Sequence, residues 1–163
     1  MAQTAGPQTT FTYDPDRTLT QTMTRSGASV QTLNLVYRHG RMAGHYVSST
    51  DRNGFARQVD LVNTSSGMIV QRTTEGDKVS TLVLFLDMNG SVIYTHDAST
   101  GTLHPHYYTP FGHQPLREQD PVCRQSILGF NGEHVLGETQ LYPLAERLYD
   151  PAMRQFLSQD GWS

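Results

Sequence analysis

From Phe11 to Tyr108 the chain switches between apolar and polar positions with a period of two, broken at regular intervals by Gly, Asn and Asp. Strict alternation is the mark of a half-buried strand, and those three residues are the usual punctuation between strands. Phe11-Thr12-Tyr13 reads as a strand that breaks at Asp14-Pro15. Thr18–Thr24 places Leu19, Gln21 and Met23 on one side, and Val30–Tyr37 places Leu33, Leu35 and Tyr37 on one face. Ser26-Gly27 and His39-Gly40 are the turns around that strand, and Met42–Tyr46 returns. Asp51-Arg52-Asn53-Gly54 carries an Asn-Gly pair, a strong short hairpin signal. Strands follow at Val59–Val62, Met68–Arg72, Val79–Leu86, Ser91–His96 and Leu103–Tyr108, with turns at Ser65-Ser66-Gly67, Glu75-Gly76-Asp77 and Asn89-Gly90. Val79–Leu86 is the most apolar and is expected to be flanked on both sides. Turns about 8–14 residues apart predict an antiparallel meander.

Beyond Asp120 the pattern leaves two readings. Over residues 141–156, Leu144, Glu146, Arg147 and Leu148 suit a short helix with Pro143 in its first turn, where Pro is tolerated. Asp150-Pro151 ends it, because the residue before Pro leaves the α region. Strand, turn, strand fits the same residues equally well. The fold expected is therefore mainly β: a twisted antiparallel meander with a short helical turn near the C-terminus.

Composition narrows the functional classes more than the fold. The 163 residues carry a net charge of −3, and with a pI near 6.1 no basic face for nucleic acid is expected. The longest apolar run, Leu82–Leu86, is far short of the roughly 20 residues of a membrane-spanning helix. Residues 1–17 are polar, so no secretory signal is expected. The single cysteine, Cys123, excludes an intrachain disulfide. It has no evident cationic neighbourhood, and an inert half-buried thiol is the reading favoured over a nucleophile.

Tyr13-Asp14-x-x-Arg17-x-Leu19 is followed 24 residues later by Tyr37-Arg38-x-Gly40-Arg41-Met42, a loose repeat. The second half is more specific. Asp87-Met88-Asn89-Gly90-Ser91-Val92, Tyr108-Thr109-Pro110-Phe111-Gly112-His113 and Leu128-Gly129-Phe130-Asn131-Gly132-Glu133 occur in that order. They are followed by Leu141-Tyr142, Arg147-Leu148-Tyr149-Asp150-Pro151 and Arg154-Gln155-Phe156-Leu157-Ser158-Gln159-Asp160, ending in Gly161-Trp162-Ser163. This series resembles the Rhs (YD-repeat) family, in the repeat-associated core domain similar to toxin-complex C-type proteins. The resemblance implies YD-like hairpins over 11–80 and core motifs over 81–163, forming one β domain at 11–163 behind a flexible arm at 1–10. It also implies a hollow β shell around a variable toxin domain, and aspartyl-type self-cleavage in many members. The partners it implies are a toxin domain or another Rhs-type subunit. The location it implies is cytoplasmic before export by a dedicated toxin-delivery system.

The departures from the family pattern matter as well. The family's self-cleavage carboxylates lie in D-P-x-G blocks, whereas Ala152-Met153 follow Asp150-Pro151 here and the sequence stops at Ser163. No toxic activity is expected of these residues, and no enzyme activity. Arg147, Asp150 and Asp160 are the motif residues, read as structural or as a remnant of a self-processing site. An aspartic dyad would need two carboxylates about 3 Å apart; a turn-forming Asp150 is the simpler alternative. His104 and His106 share a strand face, with His113 beyond a turn, yet no carboxylate or thiolate has ligand spacing beside them. Solvated edge histidines are expected, and neither a metal nor a cofactor. Gly129, Gly132 and Gly137 lack the pattern of a phosphate loop.

Tyr107, Tyr108, Phe111, Tyr142, Tyr149 and Phe156 are read as sheet packing before a binding face. Tyr149 and Phe156 are expected to face the core, and Arg147 to be tied to an acceptor. The function expected is a non-enzymatic structural segment that packs against or plugs a toxin-encapsulating shell. The alternatives are a self-processing core that needs sequence beyond Ser163, and a surface- or carbohydrate-binding module. Open edge strands make homo-oligomerisation the expected assembly.

Overall fold

The computed structural model describes residues 6–52, 54–64, 66–136, 139–144 and 147–157. The alternating first two-thirds forms nine strands: β1 (Gln8–Tyr13), β2 (Leu19–Ser26), β3 (Ser29–Arg38), β4 (Arg41–Ser49), β5 (Gly54–Asn63), β6 (Met68–Glu75), β7 (Lys78–Leu86), β8 (Val92–Asp97) and β9 (Thr102–Pro105). Each strand pairs antiparallel with its sequence neighbour, so spatial order equals chain order and the sheet is a pure meander. β1 and β9 are its edges. β1 begins at Gln8, so part of the expected arm pairs with β2 through Gln8–Arg25 and Thr9–Thr24. β9 ends at Pro105, short of the expected Tyr108, because proline has no N–H for the ladder. The hairpin predicted at 51–54 is realised with a helical turn at Thr50–Arg52 and Ser49 paired to Gly54; Asn53 lies outside the described residues.

Register is set by parity. In β7, Leu82 and Leu84 are buried while Val79 is exposed. Irregularities bend the ladder, one of them between Val36 and Tyr37, opposite Gly44. Gly44 has φ +153, and a Cβ there would stand 2.1 Å from the Val59 carbonyl oxygen of β5. Only a residue without Cβ lets β4 and β5 approach so closely.

One face of the meander is covered by the described residues between 106 and 151. Ile127 and Leu128 join Val59, Ile69, Leu82, Leu84 and Val92 in one core. Leu136, Leu141 and Leu148 close a second over Leu19 and Leu35. Each fully buried aliphatic side chain contributes about 1.5–3 kcal/mol of transfer free energy. The helical turn lies earlier than residues 141–156. It is α1 (Pro121–Gln125), flanked by 3-10 turns at Arg117–Gln119 and Phe130–Gly132. Asp120 caps it, accepting from the Val122 N–H at 2.9 Å and the Cys123 N–H at 3.3 Å, with Pro121 in the first turn. Of the two readings open for residues 141–156, strand, turn, strand is the one formed: β10 (Tyr142–Leu144), β11 (Arg147–Asp150) and β12 (Gln155–Leu157) make a small antiparallel sheet. Among the described residues no helix is long and apolar enough to cross a membrane.

Candidate functional site

Arg147 and Asp150 sit at opposite ends of β11. The Asp150 Oδ1 accepts from the Ala152 N–H at 3.0 Å and the Met153 N–H at 3.1 Å, closing the turn from β11 into β12. That is a carboxylate occupied by its own backbone. Asp160 lies outside the described residues. The Arg147 guanidinium lies 4.0 Å from the centre of the Phe156 ring, a cation–π contact rather than the expected bond to an acceptor. Phe156 does not face the core: it is 45% exposed, because its partner across the ladder is Tyr149 on the outer side of the small sheet. Tyr149 is half-buried and reaches the Phe111 carbonyl with its hydroxyl at 2.8 Å.

The histidines separate. The His104 Nδ1 lies 2.8 Å from the Asp120 Oδ2. Burial opposes ionisation of Asp120, but His104 and the Cys123 and Val122 N–H groups outweigh it and hold the carboxyl below its ordinary range. His106 is buried, not a solvated edge residue; its ring bridges the Thr95 hydroxyl (2.7 Å) and the Gln114 Oε1 (2.9 Å). Burial lowers its proton affinity. His113 is half-buried, with its N–H on the Thr109 hydroxyl. Among the described residues no three His, Cys, Asp or Glu side chains gather as a metal site. Burial, then Asp120, pushes the Cys123 thiol up to about 12, which leaves it protonated and inert.

The six aromatics divide. Tyr142 and Tyr108 turn inward, where the Tyr142 hydroxyl accepts from the Phe130 N–H at 3.1 Å and the Tyr108 hydroxyl donates to the Val92 carbonyl at 2.8 Å. Tyr107, Phe111 and Phe156 are exposed. Gly129 is where it is because a Cβ would meet the Tyr142 hydroxyl at 2.6 Å and Val135 at 2.8 Å, so its role is close packing. Gly132 likewise approaches the Gly90 carbonyl, and Gly137 lies outside the described residues.

Polar groups that the motifs did not single out stitch the covering segment to the sheet. Gln71, fully buried on β6, donates to the Gln125 carbonyl at 2.8 Å and accepts from the Ile127 N–H at 3.0 Å. Arg117, 4% exposed, donates from Nη2 to the Arg124 and Ser126 carbonyls at 3.0 and 2.6 Å. His45 of β4 meets His134 of the covering segment, Nδ1 to Nε2, at 2.9 Å. Burial, then Arg57, pushes the His45 proton affinity down to about 3; burial, then His45 and Arg117, carries His134 well below its usual value. Both rings are neutral at pH 7. The distal nitrogens, Nε2 of His45 and Nδ1 of His134, have no partner. A cavity of about 620 Å³ opens beside His45, Arg57, Arg117 and Ile127. A second of about 520 Å³ lies beside His134, Leu19 and Tyr37. The sequence signal for these residues was parity: His45 with Val47, Arg57 with Val59, and Gln71 with Ile69 each put a polar side chain on a core-facing position.

No family model and no curated protein matches this chain. Two crystal structures, TcdB2-TccC3 and TcdB2-TccC3-TEV, superpose with a TM-score of 0.67 over 93% of the chain at 18% identity. At that identity the likeness is one of fold. The chain spans 8% of the length of those proteins, so the likeness is to one small portion of a much longer polypeptide.

Proposed function

We propose that this chain is a non-enzymatic structural segment of a toxin system, a piece of β shell whose covered face carries the Rhs-like core motifs. The observation that carries the reading is the coincidence of two facts. The fold follows toxin-complex structures over 93% of the chain, and Asp150, the motif carboxylate, is held by two backbone N–H groups in a turn. The partner is a toxin domain or another Rhs-type subunit, met through the sheet edges β1 and β9. The same edges would support homo-oligomers in its absence. Phe111 and Phe156 argue against a sugar-binding platform, since Arg154 and Arg147 cover their rings at 4.6 and 4.0 Å.

The test is to co-express the chain with a toxin-complex shell subunit, follow co-elution, and record the intact mass over several days. Co-elution with an unchanged mass is the expected result. A clean cut abolished by Asp150→Asn or Asp160→Asn would replace this reading with self-processing.

A further inference from the structure

The cavity between the sheet and its covering segment is lined by more cations than the protein neutralises. Arg117 and Arg124 enter from the covering segment, Arg57 and Lys78 from β5 and β7. Two carboxylates share the lining, and both are engaged: the Asp97 Oδ1 accepts from the Ser99 N–H and hydroxyl at 2.8 and 2.7 Å, and Glu75 has a partner of its own. Arg117 is the decisive residue. It is almost wholly buried and commits only Nη2 to carbonyls; its Nε and Nη1 have no hydrogen-bond partner, and neither does the Arg57 Nε. A buried guanidinium is tolerated when a counter-ion and acceptors satisfy it, and is otherwise costly.

The two arginines bear on the same pair of rings. After burial, Arg57 lowers the proton affinity of His45, and after burial and His45, Arg117 lowers that of His134; the two rings are in contact. Two cations and the neutral His45 ring, whose Nε2 has no partner, are therefore gathered at one wall of a cavity of about 620 Å³, with His134 in contact with that ring. Thr73 and Ser80 add hydroxyl-bearing residues to the lining. Unpaired guanidinium N–H groups beside hydroxyl donors are a donor set that recognises an oxyanion.

We propose that this cavity is a binding site for a small oxyanion, the phosphate or carboxylate group of a small molecule, held between Arg57 and Arg117. Lys78 and Arg124, both exposed, stand at the same cavity and draw the anion in. The site does not depend on the partner proposed above, because every group in it belongs to this chain.

The experiment is a titration of the isotope-labelled full chain with inorganic phosphate and, separately, with citrate, at constant ionic strength against chloride. Saturable shifts of the Arg57 and Arg117 Nε–H signals and of the His45 ring are expected. The tighter of the two anions identifies the tetrahedral or the planar group as the preferred one. Arg57→Met, which loses no hydrogen bond seen in the structure, should bind at least roughly tenfold more weakly, the loss of one charge-assisted bond. Arg117→Met should abolish binding; if it does not fold, Arg57→Met decides alone. Arg25→Met, exposed at the end of β2, should bind as the parent does. The proposal is overturned if chloride reproduces the shifts, if they stay linear, or if Arg57→Met binds as tightly as the parent.

Discussion

His45 and His134 stand 89 residues apart in sequence and touch ring to ring, with nitrogens 2.9 Å apart and planes at 69°. One ring comes from the sheet, the other from the segment that covers it, so the pair is a fastener between the two layers. Its strength depends on both rings staying neutral, since a proton on either would bring a charge into the core beside Arg57 and Arg117.

That gives a pH dependence with a defined sign. The folded-state affinity of His45 is depressed to about 3, whereas an unfolded histidine titrates near 6.5. Between those values the unfolded chain binds more protons, so stability falls as the pH drops below about 6.5 and is level above it. Each such histidine contributes up to about 1.4 kcal/mol per pH unit in that window. Urea melts at pH 7.5 and 5.5 should show the loss, and His45→Gln should flatten the slope.

Gln71 is the second fastener, and its removal should be felt in the covering segment. Gln71→Leu leaves the Ile127 N–H and the Gln125 carbonyl without their partner. A cost of about 2–4 kcal/mol is expected from two orphaned buried groups. Hydrogen exchange should accelerate at 121–136 and remain slow in β2 and β3. Uniform acceleration would mean that the covering segment does not open by itself.

Gly44→Ala should be among the most damaging single-methyl changes in the sheet. The new Cβ would overlap the Val59 carbonyl oxygen, and β4 or β5 must move. We expect about 3 kcal/mol, at the upper end for overpacking. Gly27→Ala, at an open turn with nothing within 4 Å, is strained only through its φ of +60. It should cost about 1 kcal/mol. Thermal melts of the two variants compare them directly.

At the small sheet, Asp150→Ala should cost about 0.5–2 kcal/mol through the lost turn bonds. Phe156→Ala, at an exposed ring, should cost no more than about 0.5–1.5 kcal/mol, the worth of its contacts with Tyr149 and Arg147. Denaturant melts in which Phe156→Ala cost as much as a core phenylalanine would place that ring inside.

Cys123 should resist alkylation at pH 7.5 in the folded protein, with its thiol near 12 and its Sγ on the Pro105 carbonyl. In denaturant it should react at the rate of an ordinary thiol.

Period-two alternation and turn residues were enough to write down the meander, because a strand that buries one face must alternate and each hairpin must close locally. Asp120-Pro121 and Asp150-Pro151 look alike in sequence, yet one caps a helix and the other closes a hairpin. The difference lies in the residues after each proline. Val122 and Cys123 continue a helical turn whose N–H groups Asp120 accepts, while after Pro151 the chain returns at Gln155 to pair with Asp150. The outward placement of Phe156 was equally invisible, since alternation assigns parity within a strand and cannot say which side of a three-residue strand meets the core. The buried cations and histidines are the clearest case. Alternation put His45, Arg57 and Gln71 on the inner face, but a polar residue there is a fault until a partner is known. His134 and the carbonyl of Gln125, which meet His45 and Gln71, and Arg117, which lines the same cavity as Arg57, come from a segment with no period of its own, so only the folded-back chain could bring them together.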